Sequence, residues 1–268
     1  MLTDSHCHLT SQKFSDTTPA ELVQRATESG VTRIITLGTD LVDGPQNIAL
    51  AQQFQNVYAC VGIHPCDVHE TPDDFLSSLR EMAKAPEVAA IGETGLDYFH
   101  PAPDGLTEAD YRQRQRSFLT QHFHLAKELG LNIVIHTRDR EGIDSFNDAL
   151  DIYKDFHTSV RAVFHCFIGN LEQAEKVIDL GGLISFTGIA TFKKPGYTLD
   201  VARALPAGTF MLETDAPFLA PMPHRGKRNE PSYTRLTAEV IADARNESLT
   251  QLATHTEKAV ENFYRFGK

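Results

Sequence analysis

The sequence predicts a single (β/α)8 barrel over residues 1–268. Three observations carry that expectation. Eight short apolar runs, rich in β-branched residues, recur along the chain. Amphipathic segments with helix caps separate them. No linker, low-complexity tract or interrupting domain breaks the alternation. Such alternation builds a parallel sheet with helices packed outside it. A doubly wound open sheet is the alternative, but its G-x-G-x-x-G turn after the first strand is missing.

The expected strands, in order, are "LTDSHCH" (Leu2 to His8), "RIITLG" (Arg33 to Gly38), "VYACVGI" (Val57 to Ile63) and "VAAIGE" (Val88 to Glu93). "NIVIH" (Asn132 to His136), "AVFHC" (Ala162 to Cys166), "LISFTG" (Leu183 to Gly188) and "FMLETD" (Phe210 to Asp215) follow. Each is short and nearly uniformly apolar, as a strand buried on both faces must be. Between them, "TPAELVQRATESG" starts on an N-cap at Thr18, carries Pro19 in its first turn and closes on Gly30. "EADYRQRQRSFLTQHFHLAKELG" closes on Gly130, and "NLEQAEKVIDLGG" opens on Asn170 and closes on Gly181.

A chain of 268 residues with 41% hydrophobic and 23% charged residues has the composition of a soluble globular protein. The longest apolar stretches are strand-sized, so no transmembrane helix is expected. The start carries no basic region followed by an apolar run, so no signal peptide is expected. The four cysteines, Cys7, Cys60, Cys66 and Cys166, show no C-x-x-C spacing and read as free thiols in a reducing cytoplasm. Neither a membrane nor an obligate protein partner is expected. The net charge of −11 argues against a broad nucleic-acid face but leaves room for one local cationic pocket.

Two close histidine pairs stand out among twelve histidines: His6 and His8 in "TDSHCHLT", His122 and His124 in "TQHFHLAK". Residues i and i+2 share one face of a strand, ~6.6 Å apart along the backbone, but diverge by ~200° on a helix. The first pair sits on a strand and reads as a metal grip. The second sits in a helix and reads as one core-edge and one surface histidine.

The same logic extends to the other strand ends. His64 follows strand 3, Glu93 ends strand 4, His136 strand 5, His165 strand 6 and Asp215 strand 8. In a barrel those ends converge on one mouth, where active sites lie. One catalytic zinc takes about three protein ligands. Five histidines and two carboxylates exceed that, and suit two divalent ions sharing a bridging carboxylate. Their identity, Mg, Mn or Zn, is not fixed by the donors. Asp4 shares the strand face of His6 and His8, as a partner to a ligand or as a simple strand-end hydrogen bond.

The ordered set "DSHCHL", "GIHP", "GETGLDY", "HTR", "HCF", "ETDAP" and "RGKRNEP", from Asp4 to Pro231, resembles the TatD-type metal-dependent deoxyribonucleases of the amidohydrolase-like barrel superfamily. The resemblance implies that His6, His8, Glu93 and Asp215 ligate one ion. It implies that Glu93 bridges to a second, held by His136 and His165. It gives His64 a contact to the substrate phosphate or the attacking water, and lets Asp215 accept that water's proton. Thr94, Ile168 and His224 depart from the family pattern without removing a ligand.

"PHRGKRNEP" then places Arg225, Lys227 and Arg228 within four residues, beyond the last ligand strand. Arginine forks suit phosphate oxygens. Arg138 is a further phosphate candidate, whereas Glu230 offers to tie the loop down by a salt bridge. Tyr98 and Phe99 read as base-stacking or loop-packing aromatics. The expected activity is hydrolysis of DNA phosphodiesters through a metal-activated water, as a 3′–5′ exonuclease on single-stranded or frayed ends. The alternative is hydrolysis of small phosphoesters or acyl-tRNA-type esters at the same two-metal site. A non-catalytic barrel predicts eroded ligands, and all seven candidates are intact.

Overall fold

The computed structural model describes residues 1–266. Eight parallel strands lie side by side in chain order: β1 (Leu2–Cys7), β2 (Val31–Leu37), β3 (Val57–Val61), β4 (Val88–Tyr98), β5 (Ile133–Asp139), β6 (Ala162–Phe164), β7 (Leu183–Phe186) and β8 (Phe210–Leu212). All eight expected strands are present, and the (β/α)8 expectation holds.

The ring closes where its first and last strands meet. Cys7 bridges Ala216, the His8 N–H donates to the Ala216 carbonyl at 2.7 Å, and the Asp215 N–H donates to the His6 carbonyl at 2.9 Å. Deeper in the seam, Asp4 accepts from the Thr214 N–H at 2.9 Å and its hydroxyl at 2.6 Å. Asp4 is thus a closure bond between β1 and β8.

The helices are α1 (Pro19–Glu28), α2 (Asp43–Ala51), α3 (Phe75–Met82), α4 (Glu108–Leu129), α5 (Asp144–Lys154), α6 (Leu171–Asp179), α7 (Thr198–Ala204), α8 (Thr234–Ala244) and α9 (Leu249–Phe263). The caps read in sequence do their expected work. Thr18 and Asn170 each form a reciprocal capping box, and Gly130 ends α4 in the left-handed conformation. Two helices rather than one follow β8. The second, α9, brings Val260, Phe263 and Tyr264 onto the apolar cluster built by Ile35, Cys60, Ala90, Val134, Val163 and Met211 from successive strands. The Tyr264 hydroxyl donates to the Ser5 carbonyl at 2.8 Å.

Alternate strand residues such as Ile34 and Ile133 face outward, packing with Leu22, Leu79 and Phe118 of the helices. The four cysteines are unpaired, and no helix among the described residues is long and apolar enough to cross a membrane.

Strand β4 and His122 differ from expectation in ways that bear on the site. Strand β4 runs on through "TGLDY" to Tyr98, pairing Gly95 with His136 and Tyr98 with Asp139. A β-carbon on Gly95, whose φ is +147°, would lie 2.0 Å from the His136 carbonyl oxygen. Glycine therefore lets β4 continue against β5 where its sequence reads as a turn. The His122 ring is fully buried rather than at the core edge. Its Nδ1–H donates to the Phe118 carbonyl and its Nε2 accepts from the Ile63 N–H at 3.1 Å, anchoring the residue before His64. Burial pushes its pKa down to about 4, which keeps that acceptor neutral. His124 is exposed, as expected.

Candidate metal centre

The six expected ligands converge at the mouth of the barrel. In a first group, His6 Nε2 and His8 Nε2 lie 3.3 Å apart, and Glu93 Oε2 lies 3.4 and 3.5 Å from them. Asp215 Oδ1 completes it, 3.7 Å from His6 Nε2 and 3.4 Å from His8 Nε2. Ligand atoms ~2.0–2.1 Å from a shared tetrahedral cation stand about 3.4 Å from one another. The five separations given for the first group lie within a few tenths of an ångström of that length.

In a second group, His136 Nδ1 and His165 Nε2 lie 3.3 Å apart, with Glu93 Oε1 at 3.1 and 2.8 Å from them. Glu93 thus gives one carboxylate oxygen to each group. The donor sets fit two cations, with Glu93 placed between them.

The far side of two imidazoles fixes which nitrogen is free. His8 Nδ1 faces the Leu37 carbonyl at 3.2 Å, and His136 Nε2 faces Asp97 Oδ2 at 3.2 Å. His165 Nδ1 lies 3.4 Å from Glu213 Oε1. The Leu37 carbonyl and Asp97 take the ring N–H of His8 and His136 and turn the other nitrogen's lone pair toward the centre, whereas Nδ1 of His6 and of His165 is buried with no hydrogen-bond partner among the described residues. Asp97 and Glu213 were not singled out in the sequence. Each sits inside a quoted motif, "GETGLDY" or "ETDAP", but acts through a histidine from another strand. Glu213 also accepts from the Cys166 N–H at 2.7 Å and the Ser185 hydroxyl at 2.6 Å.

His64 differs from the other imidazoles. Its Nδ1 accepts from the Cys66 N–H at 3.1 Å, so the neutral ring carries its proton on Nε2, which lies 3.7 Å from Glu93 Oε1. It presents a donor rather than a lone pair, and burial pushes its pKa down to about 3. Elsewhere the carboxylates override burial. Burial opposes charge on His8, but Asp215 and Glu93 lift its value to about 9. His136 is raised against burial by Asp97 and Glu93, and His165 by Glu93 and Glu213. Burial favours neutral Glu93 and Asp215, yet the surrounding imidazoles hold both below the usual carboxylate range.

The four phosphate candidates divide. Arg138 is exposed and lies over the Phe99 ring at 3.9 Å, and Arg225 is exposed over Phe192 at 4.3 Å. Neither they nor Lys227 form an ion pair among the described residues. Arg228 is engaged instead with Asp16, with the Lys13 carbonyl at 2.7 Å and with the Thr17 hydroxyl at 2.8 Å. It ties the loop after β8 to the loop after β1. Glu230 fastens the same loop as expected, through a forked bond to Arg25 at 2.8–3.0 Å. Tyr98 packs: its ring is buried and its hydroxyl donates to Asp148 at 2.7 Å.

A family model described as TatD related DNase matches residues 3–265. The chain is 33% identical over 267 residues to the uncharacterized metal-dependent hydrolase YabD of Bacillus subtilis, covering 99% of each chain. It is 34% identical to the uncharacterized metal-dependent hydrolase YcfH of Escherichia coli, covering 98% of this chain and 94% of that one. The crystal structure of YjjV, a TatD homolog from Escherichia coli, superposes with a TM-score of 0.87 at 28% identity, over 98% of this chain and 97% of that one.

Proposed function

The chain belongs to the TatD-related DNase family of metal-dependent hydrolases, and from that premise we propose that it hydrolyses DNA phosphodiesters as a 3′–5′ exonuclease on single-stranded or frayed ends. The division of the Glu93 oxygens between two donor groups carries this reading. His6, His8, Glu93 and Asp215 would hold one divalent ion, and Glu93, His136 and His165 a second. Such ions supply a water of lowered pKa and polarise a phosphoryl oxygen.

The chain's own residues do the rest. Asp215, kept ionised by the histidines around it, orients the attacking water and accepts its proton. His64 donates Nε2–H to a phosphate oxygen. Arg138, Arg225 and Lys227, without carboxylate partners among the described residues, receive the phosphates of the adjoining nucleotides. Three isolated cations on a protein of net charge −11 suit a strand end better than a wrapped duplex. Unpaired cysteines suit a cytoplasmic setting.

The test is a metal add-back assay. Chelator-stripped protein receives Mg, Mn or Zn separately with a 5′-labelled single-stranded oligonucleotide, beside Asp215→Asn purified identically. The expected result is a ladder shortening one nucleotide at a time from the 3′ end, absent in the variant. No cleavage with any ion, at confirmed metal occupancy, would overturn the DNA reading and leave small phosphoesters and acyl-tRNA-type esters as substrates for the same centre.

A further inference from the structure

A third donor set stands beside the two groups that Glu93 joins. Cys66 lies in the turn after β3, Asp97 near the end of β4 and His100 just beyond it. Cys66 Sγ is 3.5 Å from His100 Nδ1, which is 3.1 Å from Asp97 Oδ1. All three donor atoms fall within 4.8 Å of one another. Around a tetrahedral zinc with Zn–S of ~2.3 Å and Zn–N and Zn–O of ~2.0–2.1 Å, the S···N edge is about 3.5 Å and the N···O edge about 3.3 Å. The observed separations are close to those edges.

The backbone beneath the three donors is held from several directions. Gln115 takes both main-chain groups of Asp97, accepting its N–H at 2.8 Å and donating to its carbonyl at 3.1 Å. The Tyr111 hydroxyl lies 3.1 and 3.3 Å from the Pro65 and Cys66 carbonyls, and His69 Nδ1–H donates to the Cys66 carbonyl at 2.9 Å. Arg140 donates to the Phe99 carbonyl at 2.9 Å. Asp97 Oδ1 also accepts the N–H groups of Phe99 and His100, which fixes the carboxylate itself. The His100 side chain is 48% exposed, so solvent and ions reach the set. Fixed ligands on a braced frame are what a cation site requires.

We propose that Cys66, Asp97 and His100 form a third cation site, suited to a borderline-soft ion such as zinc, with its fourth position open to solvent. Thiolate and imidazole donors select zinc over magnesium, which prefers oxygen ligands. Binding displaces the thiol proton of Cys66 to solvent, while the neutral His100 ring binds through Nδ1 and keeps its proton on Nε2. The site touches the second group through Asp97, whose other oxygen holds His136 Nε2–H. It does not depend on the substrate being DNA.

The test counts zinc on chelator-stripped, reloaded full-length protein, beside Cys66→Ser and His100→Ala. Cobalt(II) loading adds a second readout, the near-ultraviolet charge-transfer band of a thiolate on cobalt. Each variant is expected to hold one zinc fewer than the wild type and to lose that band. Equal zinc content in all three proteins, or a cobalt band that persists in Cys66→Ser, overturns the proposal and leaves a plain hydrogen-bonded cluster. The comparison is a difference between proteins that all keep Glu93, so its failure is distinct from failure of the two-ion centre, which Glu93→Ala reports.

Discussion

Glu93 is the residue whose loss should be felt by two ions at once. Glu93→Ala removes a ligand from both groups, whereas His64→Ala removes a donor whose lone pair is turned away. Metal analysis after dialysis should find the Glu93 variant depleted in both ions and the His64 variant loaded; equal loading would falsify the bridging assignment. Protons compete with the ions at the same atoms. In the ion-free protein, His8 titrates at about 9, above its ordinary value of 6.5. Its contribution to stability is therefore full below pH 6.5 and is lost as the pH rises through 9. Because ligation needs the neutral ring, metal affinity should climb with pH across the same window, and loading at pH 7 should release protons. Calorimetry in two buffers of different ionisation enthalpy measures that release, and a buffer-independent heat would contradict it. The six candidate ligands were legible in the sequence because each follows a short apolar run with a donor side chain, although Glu93 and His136 lie within β4 and β5 rather than at their ends. Asp97, Glu213 and the engagement of Arg228 were not, because each acts on a partner that only the folded chain brings near.

At the scale of elements, the reach of β4 decides where His136 stands. Gly95 pairs with His136, and its φ of +147° leaves no room for a side chain. Gly95→Ala should cost about 2 kcal/mol or more and shift His136 from Glu93. Thermal melting and ion counting check both parts, and a variant with wild-type melting and a full metal complement would contradict the account. The strand centres were readable from their apolar runs, since burial on both faces leaves a plain signature. The end of β4 was not, because glycines at positions 92 and 95 mark a turn in most sequences and here permit close strand approach. The helix caps were readable at Thr18, Asn170 and Gly130 because capping is local chemistry. The clamp from His122 to the Ile63 N–H was not, since it joins a helix to a distant turn.

For the whole molecule, a net charge of −11 with a few unpaired cations at the mouth predicts weak, local electrostatics toward nucleic acid. Three phosphate contacts, from Arg138, Arg225 and Lys227, would give a slope of about −2 for log affinity against log salt on single strands. Anisotropy titrations with Asp215→Asn should show that slope, reduced by about 1.4 when Arg225 and Lys227 are both changed to Ala. A slope of about −5 would point to a broad cationic face and sink the pocket reading. The barrel class was legible because alternation is a property of the whole chain. The nature of its closure was not, because no local pattern shows that Asp4 and Thr214 will meet.

That closure has a consequence for the order in which the protein is made. His6 and His8 are synthesised long before Asp215, and α8 and α9 follow it. Until Asp215 is made, β1 lacks its neighbour across the seam, and the first ligand group lacks its fourth member. A nascent chain stalled before β8 carries five of the six candidate ligands and no closed ring to hold them in register. The candidate centre is therefore assembled only when β8 arrives, by the same step that closes the ring of strands.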